Sequence, residues 1–145
     1  MSMKTKILKL FILLAVFLPL ISCVPDEDID PDGSDARDKF IGEWLFVEAK
    51  STGWYEKAGY TVIISRDPGN SSQVLLKNFA NVGRNHSAYG IVTSKRISIP
   101  TQDITGNGFV TSGTGNMISN TFMNWEFTYV VGGDQESVTA SATKK

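Results

Sequence analysis

No stretch after Lys39 repeats its apolar residues at the 3.6-residue spacing of an amphipathic helix. A parallel sheet needs crossover helices, so a chain without them pairs its strands antiparallel throughout. What the sequence offers instead is a run of short segments with alternating side chains, divided by turn residues. The first two, Trp44 to Ala49 and Gly59 to Arg66, are joined by a polar turn; Trp44, Phe46 and Glu48 point one way and Leu45, Val47 and Ala49 the other. Asp67-Pro68-Gly69-Asn70 stops the second strand. Ser72 to Phe79 reads as a third strand, Ala88 to Thr93 as a fourth, and Arg96 to Ile99 as a short fifth ending at Pro100. Thr101 to Gly108 reads as a turn region. Phe109 to Ser119 follows, and then Thr121 to Val131, with Met123, Trp125, Phe127, Tyr129 and Val131 on one face. Glu136 to Thr143 closes the chain, Val138, Ala140 and Ala142 facing one way. Seven or eight such strands on hairpin-length turns make an all-β fold, either a closed barrel or an open β-sandwich. Closure removes both sheet edges, which a chain with Tyr, Trp and Val along its last long strand needs.

The N-terminus reads as a processing segment. Met1 to Lys9 carries three lysines and Leu10 to Ile21 is almost wholly apolar, a length too short to span a bilayer. Leu20-Ile21-Ser22-Cys23 resembles a bacterial lipobox. That resemblance implies diacylglycerol on Cys23, cleavage before it, acylation of the new amino group and a membrane partner for the anchor. Each buried CH₂ of an acyl chain contributes about 0.8 kcal/mol, so two or three chains hold the protein firmly. Residues 1–22 are then a signal peptide, 23–38 the lipidated cysteine with an acidic linker, and 39–145 one folded domain. Asp28-x-Asp30-x-Asp32-Gly33 imitates the start of a calcium loop, but Lys39 stands where a bidentate Glu is required. Val24 after the cysteine and the acidic stretch beyond it resemble lipoproteins sent to the outer membrane or cell surface.

Gly42-x-Trp44 at the start of the first strand, followed by a meander, resembles the lipocalin or wider calycin superfamily. It is similar above all to the small lipocalin-like lipoproteins of Bacteroidetes. The resemblance implies an up-and-down barrel of about eight strands, with Gly42 letting the chain turn in beneath it and Trp44 plugging its closed end. A basic residue from the last strand packs over that ring in the family; here Glu136 to Thr143 contains no Arg, and only Lys144 and Lys145 follow.

The residues with chemistry point to binding and not to catalysis. His86 is the sole histidine and Cys23 the sole cysteine, so neither a zinc site nor a thiol nucleophile is expected, nor any cofactor. No two of Glu48, Glu56, Asp67, Asp103, Glu126, Asp134 and Glu136 are placed by the sequence as an acid–base pair. A net charge of -1 leaves no basic footprint for nucleic acid. The remaining asset is rings. Phe46, Glu48, Tyr60, Trp125, Phe127 and Tyr129 are the expected lining of a site for a small apolar or amphipathic ligand. The alternative is a solid-cored surface lipoprotein docking on an envelope protein. An interior cavity of about 300 Å³ or more favours the first; a packed interior beside an exposed aromatic patch favours the second.

Overall fold

A computed structural model describes residues 33–50 and 58–145. Eight strands, β1 (Gly42–Lys50), β2 (Tyr60–Arg66), β3 (Gln73–Lys77), β4 (Ser87–Thr93), β5 (Arg96–Asp103), β6 (Val110–Ser119), β7 (Phe122–Val131) and β8 (Asp134–Lys144), follow one another as a meander. Each pairs antiparallel with the next, and β1 pairs with β8 from Trp44↔Lys144 to Lys50↔Val138, which closes the barrel. The sandwich is thereby excluded. The side-chain alternation of the pleat sends Trp44, Phe46 and Glu48 inward from β1, with Tyr60, Val62 and Ile64 beside them from β2. Val138, Ala140 and Ala142 face in from β8.

The Trp44 end of the barrel is sealed by a 3₁₀ turn at Asp38–Phe40. Trp44 and Phe40 are both fully buried, and the Trp44 indole N–H donates to the Phe40 carbonyl at 2.8 Å. The missing basic residue is supplied one position beyond the expected strand end. Strand β8 runs on to Lys144, whose Nζ lies 5.4 Å from the centre of the Trp44 ring and donates to the Lys39 carbonyl at 3.1 Å. Gly42 makes room for it: its φ is +133°, and a Cβ there would sit 3.2 Å from Lys144 Cε. The basic residue over Trp44 that the sequence reading finds missing from the last strand is therefore Lys144, because that strand runs one residue further than expected.

Part of the stretch read as linker lies against the barrel. Ala36 is buried, and Arg37 grips Asp35 with Nε at 2.9 Å and Nη2 at 2.6 Å while Nη1 donates to the Asn70 carbonyl at 3.0 Å. Arg66 joins from β2, pairing with Asp35 at 3.4 Å and with Asp38. The Arg37 hydrogen bond holds the Asp35 carboxyl down at about 2. Cys23, the calcium-loop imitation at 28–32 and the turn at 51–57 fall outside the described residues.

Two strand ends differ from expectation. Strand β5 passes through Pro100 to Asp103, with a register shift against β6 between Ile99 and Gln102. Proline has no N–H for its neighbour, and the bulge absorbs the loss. On the other side the Gln102 side chain takes over the ladder: Oε1 accepts the Tyr89 N–H at 2.9 Å and Nε2 donates to the Tyr89 carbonyl at 2.8 Å. Strand β3, by contrast, stops at Lys77, because Asn78 turns left-handed with φ 65°. Phe79 is thus in a loop and not in a strand.

Candidate functional site

Four strand-borne rings meet inside the barrel. Phe46 lies 5.8 Å from Tyr60 and 5.4 Å from Trp125, centre to centre. Phe127, two residues along the inward face from Trp125, reaches them through a fifth ring, Phe79, at 4.8 Å from Phe127 and 5.4 Å from Trp125. The neighbouring strand β6 is made thin to take them, Gly113 standing directly across from Phe127 and Gly115 from Trp125. Gly113 and Gly115 share the inward face of β6 with the buried Thr111 and Met117, and a Cβ on Gly115 would lie 2.4 Å from two atoms of the Trp125 ring. Trp125 is 1% exposed, and among the described residues its indole N–H has no acceptor. An indole N–H left without a partner in an apolar interior costs on the order of 1–3 kcal/mol.

Toward the end opposite Trp44 the lining turns polar. The Tyr60 hydroxyl donates to Glu48 Oε1 at 2.7 Å, both residues being buried. Burial first, and the Glu48 bond second, push the Tyr60 hydroxyl far above the ordinary range, so it stays a neutral donor. Tyr129, at the next polar level, donates to Glu136 Oε2 at 2.6 Å, and that bond raises it to about 12. Phe109 stacks on the Tyr129 ring at 5.1 Å. Thr111, also buried, donates its hydroxyl to the Thr128 carbonyl at 2.8 Å. Two phenol–carboxylate pairs therefore stand between the ring cluster and the loops.

Of the six residues expected to line a site, Phe46, Glu48, Tyr60, Trp125 and Phe127 are buried inside the barrel, and Tyr129, on the same face of β7, is half-buried toward the rim. Glu126, which shares a face with Asn124 and Thr128, is on the opposite side, toward solvent. Two concavities among the described residues open on that outer face. One, of about 560 Å³, runs over Ser112, Glu126, Thr128 and Ser137. The other, of about 360 Å³, shares Glu126 and Thr139 with it and continues over Asn124 and Ser141 to Val47. Hydroxyl, amide and carboxylate groups line them together with apolar surface, which predominates in the larger one. Inside, the rings touch one another, so the interior at their level is occupied by side chains. Asp103 is spent on its own loop, accepting backbone N–H bonds from Gly108 at 2.8 Å and Gly106 at 2.9 Å, which lower its pKa. His86 sits half-buried at the end of the β3–β4 loop, its carbonyl accepting the Asn78 N–H at 3.0 Å. Among the described residues no three His, Cys, Asp or Glu side chains converge on a common point.

The expected lining leaves out Phe79 and Phe109, which pack on its rings, Lys144, which lies over Trp44, and Glu136, an exposed carboxylate that accepts from Tyr129 at the rim. Phe79 was hidden by its position after an apolar run; the Asn78 and Asn81 that flank it, a residue type tolerant of left-handed backbone, were the available signal.

No protein-family model and no curated protein matches the chain. Among solved structures it is similar to EF1p2_mFAP2b bound to DFHBI, at 15% identity and TM-score 0.51, over 77% of this chain and 98% of that one. It is also similar to a redesigned β-barrel, b11L5F_LGL, at 14% identity and TM-score 0.50, over 77% of this chain and 96% of the other. These likenesses are of fold. The chain is an eight-stranded closed antiparallel barrel.

Proposed function

We propose that the protein is a lipid-anchored envelope lipoprotein whose barrel binds one small apolar or amphipathic molecule, and that it is not an enzyme. The domain would hang from acylated Cys23 on the outer membrane or cell surface, tethered by the acidic segment after it. The interior at the level of the rings is packed and the two concavities described lie on the outer face, so the binding reading is carried not by a preformed cavity but by the gradient inside the barrel. An aromatic cluster contains a buried indole N–H with no acceptor among the described residues. Above it stand the buried Tyr60–Glu48 pair and, exposed at the rim, the Tyr129–Glu136 pair, which together offer donors and acceptors beside the rings. A chain of similar fold was solved bound to DFHBI, which supports the capacity of the architecture.

A second reading has its own support. Leu75 on β3 pairs with Tyr89 on β4, and Tyr89 and Ile91 are 36% and 38% exposed on the outer wall. An apolar outer patch of this kind suits a docking domain for an envelope protein. Thermal melts across fatty acids, isoprenoids, haem and oligosaccharides separate the two readings. A ligand-dependent rise in melting temperature that is lost in Tyr129→Ala supports the binder. A flat response to the whole panel, with a protein partner recovered through Tyr89 and Ile91, supports the docking domain.

A further inference from the structure

Of the five rings in the interior cluster, four are held by strands and cannot leave without breaking the barrel. Phe79 is different. It is fully buried, yet it hangs from the loop between β3 and β4 and enters from the end opposite Trp44. The loop carrying it holds three non-glycine residues in left-handed backbone, Asn78 at φ 65°, Ala80 at φ 53° and Asn81 at φ 58°. Left-handed backbone is disfavoured for alanine by about fivefold or more at equilibrium. Ala80 and Val82 pack half-buried against the core, but the loop's side-chain hydrogen bonds are few. Asn78 Nδ2 donates to the Thr61 carbonyl at 2.9 Å, and Asn78 Oδ1 accepts the Gly83 N–H at 2.8 Å, which closes the loop on itself.

We propose that Phe79 is the chain's own occupant of an aromatic binding site, and that the β3–β4 loop swings out to admit a planar aromatic ligand bearing a hydrogen-bond acceptor. The proposal rests on the reading of the barrel as a binder. Removing the Phe79 ring leaves a slot faced by Phe127, Trp125 and Phe46, which lie 4.8, 5.4 and 6.2 Å from its centre. Three rings around a slot favour a flat π-system over a branched alkyl chain. The Trp125 indole N–H, for which the described residues provide no acceptor, selects a ligand with a carbonyl or ring-nitrogen lone pair at its edge. Such a ligand restores the ring contacts that Phe79 gives up and satisfies a donor that Phe79 cannot. Exposing one phenylalanine makes the open form rarer than the closed by a factor on the order of ten to a hundred. The apparent affinity is reduced by the same factor.

The test uses the full chain in detergent and two probes of the same shape, acetophenone, which has a carbonyl acceptor, and α-methylstyrene, which has none. Dissociation constants are measured by calorimetry for the wild type, Phe79→Ala and Asn81→Val. Phe79→Ala empties the slot and is expected to bind acetophenone on the order of ten- to a hundredfold tighter than the wild type. Asn81 is exposed, so Asn81→Val leaves the interior intact; a β-branched residue at φ 58° strains only the closed loop and is expected to tighten binding about fivefold or more. Acetophenone is expected to bind better than α-methylstyrene to all three chains. Unchanged affinity in Asn81→Val makes Phe79 a fixed core residue and overturns the proposal, even where Phe79→Ala fails to fold. Equal affinity for the two probes overturns the role of Trp125. An amphiphile that binds equally to wild type and both variants leaves the barrel a binder and removes the gate, whereas no binding by any chain removes both.

Discussion

Replacing Trp44 by alanine removes the largest side chain at the sealed end of the barrel, and the structure allows the loss to be apportioned. The ring is fully buried, and truncating a buried tryptophan costs about 3–5 kcal/mol in transfer and cavity terms. The Phe40 carbonyl, which accepts the indole N–H at 2.8 Å, loses its donor at about 1 kcal/mol more. Lys144 loses the ring face beneath its ammonium, worth about 0.5–1 kcal/mol. With some relaxation of the 3₁₀ turn the sum is about 4–6 kcal/mol, comparable with the whole stability of an ordinary small domain, about 5–15 kcal/mol. Denaturant melts of the two chains measure it directly, and Trp44→Phe separates the parts. The phenylalanine keeps most of the apolar area but not the N–H, and should cost about 1–3 kcal/mol. A loss below about 1 kcal/mol in Trp44→Ala would refute the reasoning, because a ring that plugs the barrel and carries Lys144 cannot be removed so cheaply.

Gly115→Ala places a Cβ 2.4 Å from two atoms of the Trp125 ring and should destabilise the barrel by about 1–3 kcal/mol in the same melts; an unchanged midpoint would contradict the glycine-lined wall. Asp35, bound by Arg37, titrates at about 2 in the folded chain against an ordinary 3.8, so its contribution is present above 3.8 and is lost as pH falls through about 2. Asp35→Asn should therefore flatten that part of the melting-temperature profile between about pH 4 and pH 2, and an unaltered acid limb counts against the ion network. Cys23→Ser should leave the melting temperature unchanged and move the protein from the membrane fraction to the soluble one; retention on the membrane would remove the anchor from the account.

How much could be read from the chain depended on whether a signal was local. Alternation is local, so the inward column from Phe46 through Trp125 to Tyr129 followed from period two alone. Glu48 and Glu126 looked equivalent by that criterion, and only the closed barrel put one inside and the other in the outer groove. Closure itself is the pairing of β1 with β8, which joins Trp44 to Lys144 across the whole length of the domain. No residue pattern within either strand announces it, and for the same reason the basic residue over Trp44 was read as missing. Pro100 was taken for a strand end because the lost N–H is visible in sequence and the Gln102 side chain that replaces the ladder is not. Phe79 was placed in a strand because an apolar residue after Val74-Leu75-Leu76 fits one. What removes it is a left-handed Asn78, held by bonds to Thr61 and Gly83 in other parts of the fold.

The claim that the barrel is a binding module is tested most directly by native mass spectrometry of the full chain, extracted in detergent from its own host and followed by solvent extraction. The account predicts a mass above that of the acylated polypeptide, released on mild activation as one small molecule per chain, aromatic and carrying a hydrogen-bond acceptor. A bare acylated chain, with no melting-temperature response to fatty acids, isoprenoids, haem or oligosaccharides, would contradict it.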